Sequence, residues 1–300
     1  MSEEQQAREA MAAIPLLSGY RGPVTRLGGL TNLVFQAGEH CLRIPGKGTE
    51  EYINRANEAV AAREAAKAGV SPEVLHFDTA GVMVTRFIDG AQTMSPAAFK
   101  LNSGAPARAG EALRKLHVSG AVFPFRFYLF SMIDDYLRIL STKDVVLPKG
   151  YHEVLRESED IRTALSAHPA TLVACHCDPL CENFLDTGDR MWIVDWEYSG
   201  MNDPMWDLGD LSVEGKFGEE QEEEMLLAYF SGEPRPAERG RVVIYKAMCD
   251  LLWTLWGLIQ LANENPAEDF RAYADGRFAR CRKLMQGADF ARHLEAVRKG

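Results

Sequence analysis

His176-Cys177-Asp178-Pro179-Leu180-Cys181-Glu182-Asn183 fits the pattern H-x-D-x4-N, and twelve residues after Asn183 stands Asp195, behind the apolar pair Ile193-Val194. Asp178 or Asn183 alone would read as a turn residue, because Asp and Asn side chains commonly cap turns. Their order, and the short apolar runs Thr171–Ala174 and Trp192–Val194 on either side, argue for more. One carboxylate, Asp178, is placed to orient a hydroxyl and take its proton. Asn183 and Asp195 offer hard oxygen ligands of the kind Mg²⁺ prefers. Protein kinases arrange an Asp, an Asn and a later Asp in this way, since phosphoryl transfer needs positioning and charge neutralisation more than covalent help. Asp178 is therefore the expected catalytic residue, with Asn183 and Asp195 as metal ligands.

The chain upstream reads as β-rich. Residues 3–13 form a short amphipathic helix. Val24–Leu27, Asn32–Gln36 and Cys41–Ile44 read as strands, with Gly28-Gly29-Leu30-Thr31 between the first two and Pro45-Gly46 after the third. Alternation puts Arg43 on one face and Leu42 and Ile44 on the other. Glu50–Ala68 lacks Gly and Pro, is rich in Ala and Glu, and predicts a helix ended by Gly69. Val74–Phe77 and Val82–Phe87 predict two more strands. After Ile88-Asp89-Gly90 the pattern turns helical, over Ala107–Leu116, Ser131–Leu140 and nearly everything from Glu219 onward. The expected class is α+β, with a β-rich lobe at 1–88 and a larger helical lobe at 89–300.

Bulk properties narrow the function. The net charge is −10 and no Lys/Arg cluster stands out, which argues against a nucleic-acid partner and suits cationic ligands. Met1-Ser2-Glu3-Glu4 lacks the basic and apolar character of a signal peptide. The most apolar segment, Leu251–Ala262, is shorter than the roughly 20 residues a bilayer span needs. A cytoplasmic protein without a membrane partner is expected. Cys175, Cys177 and Cys181 flank His176, but C-x-C-x3-C is not a zinc-knuckle spacing and small thiols commonly fill cores.

The segment Ile193-Val194-Asp195-Trp196-Glu197-Tyr198-Ser199-Gly200, followed by Asp203-Pro204 and Asp207-Leu208-Gly209, resembles the choline/ethanolamine kinase family, a branch of the aminoglycoside-phosphotransferase-like kinases. The resemblance runs from about Gly28 to Phe278. It implies a two-lobed, protein-kinase-like fold holding ATP and Mg²⁺ in its cleft. It further implies that Gly28, Gly29, Thr31 and Asn32 form a nucleotide-binding turn. Arg43 would contact the phosphates where protein kinases use Lys. Glu58, rather than the rival Glu64, would hold Arg43, and Phe87 would lie in the interlobe hinge beside adenine. His176 and Asp207 would support the catalytic loop. His117, at a helix end, is read as a C-terminal cap.

The acceptor pocket is where kinases of this fold diverge. Trp253 and Trp256 share one helix face at i, i+3, on a helix expected over Val242–Asn263. Choline has no hydrogen-bond donor on its cationic head, so aromatic faces and negative charge must hold it. Two Trp on an apolar helix would by themselves read as core. The resemblance instead implies that Trp253, Trp256, Tyr273 and Glu214 line the acceptor site. Asp250, on the same helix, is read as paired with a nearby Arg or Lys such as Lys246. The family often has further aromatic residues after Glu214; here Phe217 is followed by Gly218-Glu219-Glu220, which leaves choline and ethanolamine both open. The expected reaction is transfer of the γ-phosphate of ATP to an amino alcohol. Thiamine or an aminoglycoside is the rival acceptor, and a catalytically silent nucleotide-binding regulator is the rival outside enzymes. The sequence permits a homodimer without showing one.

Overall fold

The structure is a computed structural model, and it describes residues 2–28, 32–46 and 53–300. The chain opens with α1 (Glu3–Ala13), capped by the Ser2 hydroxyl, which accepts the Gln5 N–H at 3.2 Å. Three strands follow, β1 (Val24–Gly28), β2 (Leu33–Ala37) and β3 (His40–Ile44), then α2 (Arg55–Lys67), β4 (Val74–Phe77) and β5 (Met83–Arg86). The strands form one antiparallel sheet in the order β1-β2-β3-β5-β4. Ala7, Met11, Ile14 and Leu17 cover one face of it, against Phe35, Ala37, Leu42 and Val84. Alternation along β3 sends Arg43 to the other face, where α2 lies.

α2 begins later than the sequence suggests. Asn54 is extended, and its side chain accepts the N–H groups of Ala56 and Asn57, both at 3.1 Å, so the helix starts at Arg55. Residues 50–52 of the expected helix lie outside the described residues. The far end is as expected, with Gly69 in the left-handed region at φ +71° just past the helix. This end is fastened to the second lobe. The Gly69 carbonyl accepts from Lys115 at 3.1 Å and from Arg190. The Val70 carbonyl accepts the Ile193 N–H at 2.8 Å, and Trp196 Nε1 donates to Ser71 Oγ at 2.9 Å. Ala61, Ala62, Ala65 and Val70 belong to the same apolar core as the helical lobe.

That lobe comprises β6 (Gln92–Thr93), α3 (Pro96–Leu101), α4 (Ala105–His117), α5 (Leu129–Leu140), α6 (Tyr151–Ala167), β7 (Val173–Cys175), β8 (Phe184–Asp186), β9 (Met191–Ile193), β10 (Gly200–Asn202), α7 (Met205–Glu214), α8 (Glu219–Phe230), α9 (Pro236–Ala262), α10 (Phe270–Met285) and α11 (Phe290–Lys299). The small strands make a β6-β8-β9 sheet and a β7/β10 pair. The α+β, two-lobed, kinase-like arrangement is the one expected. Helices α3, α6 and α7 are not legible in the sequence. Every residue of α7 from Met205 to Val213 is buried, so it has no amphipathic stripe to read.

α9 corrects another expectation. The apolar segment is part of a 27-residue helix, long and apolar enough to cross a membrane by length and composition. Of its most apolar 18 residues, 89% are buried inside the protein, where α5, α7, α10 and α11 pack around it. Its apolar character on all sides is that of a core axis. α7 crosses α9 at Gly209, where a Cβ would stand 2.7 Å from the Val242 carbonyl oxygen; the glycine of the D-L-G motif permits that approach.

Candidate active site

The loop from His176 to Asn183 leaves β7 and is held mainly by one buried carboxylate. Asp207, on the first turn of α7, accepts the His176 N–H on Oδ2 at 2.7 Å and the Cys177 N–H on Oδ1 at 2.8 Å. Cys177 takes the left-handed conformation, φ +68°, and its carbonyl accepts Trp206 Nε1–H at 3.0 Å. His176 is fully buried against Trp196. Its Nδ1 accepts the Asp178 N–H at 3.3 Å, so Nε2 carries the proton and donates to the Val194 carbonyl at 2.9 Å. Burial lowers the imidazole pKa, consistent with a neutral ring.

His117 is not a helix-end cap. Its ring turns inward, 5% exposed overall, with Nε2 3.0 Å from Asp207 Oδ2 and Nδ1 2.9 Å from the Tyr229 hydroxyl. A third partner thus fixes Asp207. The three cysteines near His176 are buried and free, and burial raises each thiol.

Asp178 is half-buried at the loop's turn. Burial pushes its carboxyl well above the usual range, and the carboxylates of Asp210, Asp195, Glu214 and Glu197 push the same way. Asn183 donates through Nδ2 to the Asp178 carbonyl at 3.0 Å, so Oδ1 is the side-chain atom that could accept or ligate. The Asn183 carbonyl accepts the Val194 N–H at 2.9 Å, tying the loop to the segment that carries Asp195. Asp195 is left-handed, φ +66°, a conformation Asp adopts more readily than most side chains. Its Oδ1 is buried and accepts no hydrogen bond. Burial raises its pKa, against the pull of Arg43. A carboxylate oxygen without a hydrogen-bond donor among the described residues, its charge met by Arg43 at 3.5 Å, is a hard donor that fits Mg²⁺, and an amide oxygen such as that of Asn183 is of the same class.

The small lobe faces this loop with a charge cluster. Glu58 pairs through Oε1 with Arg43 and through Oε2 with Arg55 at 2.7 Å. Arg55 also reaches Glu197 at 3.0 Å, and Arg43 lies 3.5 Å from Asp195 and 3.8 Å from Glu197. The second guanidinium nitrogen of Arg43 donates to the Gly81 carbonyl at 2.9 Å. Asn32 donates to both Asp195 and Glu197 at 3.4 Å, and its Oδ1 accepts the Gly46 N–H at 3.3 Å. Burial, and then Asp195, pushes the Glu197 carboxyl up to about 7. Glu64 points away and pairs with Lys67 at 2.6 Å, so Glu58 is the partner of Arg43. Gly28 ends β1 at a shift in register with β2; Gly29 and Thr31 lie outside the described residues. Phe87 is half-buried after β5, its N–H donating to the Glu39 carbonyl at 2.8 Å.

The expected acceptor residues are linked to one another through Tyr198 and Arg277. Trp253 donates to Asp210 Oδ2 at 3.2 Å and packs on Tyr198, ring centroids 5.4 Å apart. Trp256 donates to the Tyr198 hydroxyl at 2.9 Å and packs on Tyr273 at 5.6 Å. Glu214 is 2.5 Å from Arg277, whose guanidinium also lies over the Tyr273 ring, 4.6 Å from its centroid. Asp250 has an arginine partner twice over, Arg280 at 2.6 Å and Arg277 at 3.2 Å; Lys246 pairs instead with Glu222. Sequence reading missed Arg55, Asp210, Tyr198 and Arg277. The signals were present as R-x-x-E at 55–58 and D-x3-E at 210–214, spacings that share a helix face.

The family model described as choline/ethanolamine kinase matches residues 24–224. The structure superposes on the crystal structure of a choline/ethanolamine kinase family protein from Mesorhizobium loti, 75% identical, with a TM-score of 0.94 and 100% of each chain covered. It is similar to the choline kinase LicA from Streptococcus pneumoniae, 27% identical, with a TM-score of 0.78 over 94% of this chain and 98% of that one. A LicA structure in complex with AMP is 28% identical, with a TM-score of 0.77 over 96% and 98% of the two chains.

Proposed function

The chain belongs to the choline/ethanolamine kinase family, a phosphotransferase acting on an alcohol, and we propose that it transfers the γ-phosphate of ATP to the hydroxyl of choline or ethanolamine. The observation that carries this reading is that two clusters converge on the loop of Asp178. Asp195 and Glu197 lie within 3.8 Å of Arg43 of the small lobe, Asp210 and Glu214 are bonded to Trp253 and Arg277 of the aromatic pocket, and all four carboxylates act on Asp178. A base there addresses a phosphate on one side and a cationic alcohol on the other.

In this reading Arg43 binds phosphate oxygens, and Glu58 keeps its guanidinium in place. Asn32, with Gly28, Gly29 and Thr31, lines the nucleotide, and Phe87 borders the adenine. The AMP held by LicA supports a nucleotide in this cleft. Asn183 and Asp195 would hold Mg²⁺, which neutralises phosphate charge when bound. Asp178 accepts the proton of the acceptor hydroxyl as its oxygen bonds to the γ-phosphorus and the bond to the ADP oxygen breaks. The raised pKa of Asp178 falls when an ammonium group enters beside it, because a nearby cation favours the carboxylate. Glu214, Trp253, Trp256 and Tyr273 line that pocket.

The test is ADP release with Mg²⁺ and ATP against choline, ethanolamine, thiamine and an aminoglycoside. Turnover with choline or ethanolamine is expected. Turnover with thiamine or the aminoglycoside alone would keep the phosphotransfer chemistry and overturn the acceptor. ATP binding without turnover of any of the four would make the chain a nucleotide-binding regulator.

A further inference from the structure

Two observations in the acceptor pocket point the same way. The first is an unmatched acceptor. Asp210 is 1% exposed; Trp253 fills its Oδ2, while Oδ1 is buried and accepts no hydrogen bond. The thiol of Cys249 is a weak donor that this carboxylate shares with the Lys246 carbonyl, 3.3 Å from the sulfur, so among the described residues no N–H or O–H meets Oδ1. A buried acceptor without a donor is costly, and a ligand that supplies the donor recovers that cost. Trp253, a wall of the acceptor pocket, donates to the same carboxylate at 3.2 Å, so the orphaned oxygen lies at that pocket.

The second observation concerns the aromatic walls. A quaternary ammonium needs open ring faces around it. Here the guanidinium of Arg277 already covers the Tyr273 ring, and it is fixed there by Glu214 and Asp250. Trp256 is packed between Phe270 and Tyr273, and Trp253 is 4% exposed. The cage is largely filled by the protein's own cation and rings, while the carboxylate side is short of donors.

Building on the amino-alcohol reading above, we infer that Asp210 Oδ1 accepts a hydrogen bond from an N–H of the acceptor's ammonium group, so that the pocket selects primary to tertiary amino alcohols over quaternary ones. Ethanolamine and its N-methyl and N,N-dimethyl derivatives, when protonated, each present an N–H. Choline presents none and leaves Oδ1 unmatched. Burial and Glu214 hold the Asp210 carboxyl well above its usual range, and an entering ammonium favours its charged form.

The experiment is kcat/KM for ethanolamine, N-methylethanolamine, N,N-dimethylethanolamine and choline, on the unaltered protein and on Asp210→Asn. The unaltered protein should show its largest step, at least about tenfold, between the dimethyl compound and choline, the point at which the last N–H is lost. Asp210→Asn should lower kcat/KM for ethanolamine by at least about tenfold more than it lowers that for choline, narrowing the ratio. The series on the unaltered protein needs no variant to fold. Choline used as well as dimethylethanolamine, or a variant that loses both substrates in equal measure, would overturn the inference while leaving the kinase reading intact. Failure of all four compounds would instead remove the amino-alcohol reading and this assignment with it.

Discussion

Arg43, from the small lobe, sets its Nη1 3.5 Å from Oδ1 of Asp195, from the large lobe. The contact crosses the cleft, and in the proposed reaction each partner turns to the same ligand, Arg43 to a phosphate and Asp195 to the metal that accompanies it. The pairing keeps the buried Arg43 charge beside the half-buried Asp195 carboxylate, where the guanidinium alone would be costly.

Asp178→Asn keeps the shape of the loop, because among the described residues Asp178 is bonded to it through main-chain atoms, its N–H to His176 and its carbonyl to Asn183 and Leu180. Turnover is expected to fall by about 10² to 10⁴-fold, with ATP affinity close to that of the unaltered protein. ADP release and direct nucleotide binding separate the two. Full activity in this variant would refute the base assignment.

Glu58 and Glu64 lie on one helix and invite a paired comparison. Glu58→Gln removes the charge shared by two buried arginines and should raise KM for ATP by about tenfold while lowering the melting temperature. Glu64→Gln touches only a surface pair with Lys67 and should change stability by less than about 1 kcal/mol, with kinetics unaltered. Equal effects would mean that the Arg43 pairing is not what matters.

His176 gives a pH dependence with a defined sign. Its folded pKa is lowered by burial, so the unfolded chain binds the proton first. The associated stability is fully present above about pH 6.5 and is lost as pH falls below that value toward the folded pKa. His176 should therefore contribute a fall in melting temperature between about pH 7 and about pH 5, opposed by the raised carboxyls such as Glu197 and read as the difference in slope from the variant that lacks the imidazole. His176→Gln, which keeps a donor for the Val194 carbonyl, should be less stable at neutral pH but show a shallower slope. An unchanged slope would assign the acid sensitivity elsewhere.

Gly209→Ala should destabilise by about 1–3 kcal/mol, since the added Cβ meets main-chain atoms of α9 that cannot swing aside. Gly276→Ala, where a Cβ meets nothing within 4 Å, is the control and should be near neutral or slightly stabilising. Denaturant unfolding of both variants measures the difference.

The sequence carried the parts whose chemistry repeats in short spacings. H-x-D-x4-N and the later Asp gave the loop, and alternation along β3 gave the face of Arg43. Spacing alone does not distinguish Glu58 from Glu64, because both lie in one Ala-rich helix and only the position of Arg43 in space separates them. His117 reads as a cap because a helix end looks exposed in sequence, whereas α8 brings Tyr229 over it and buries the ring. Asp210 stays hidden inside a helix buried on every side. Arg277 reaches Tyr273 and Glu214 from a neighbouring helix, a meeting that no local pattern encodes.

The fastening of α2 to the helical lobe bears on how relatives can be recombined. The chain changes character near residue 88, yet Ala61, Ala62, Ala65 and Val70 are core residues of the helical lobe beyond it. A chimera joined at that point would graft a foreign apolar face into the heart of its host, together with main-chain and side-chain partners for Arg190, Lys115 and Trp196. A crossover that respects the packing must move α2 and the Gly69–Ser71 turn as part of the second half, although the chain places them in the first.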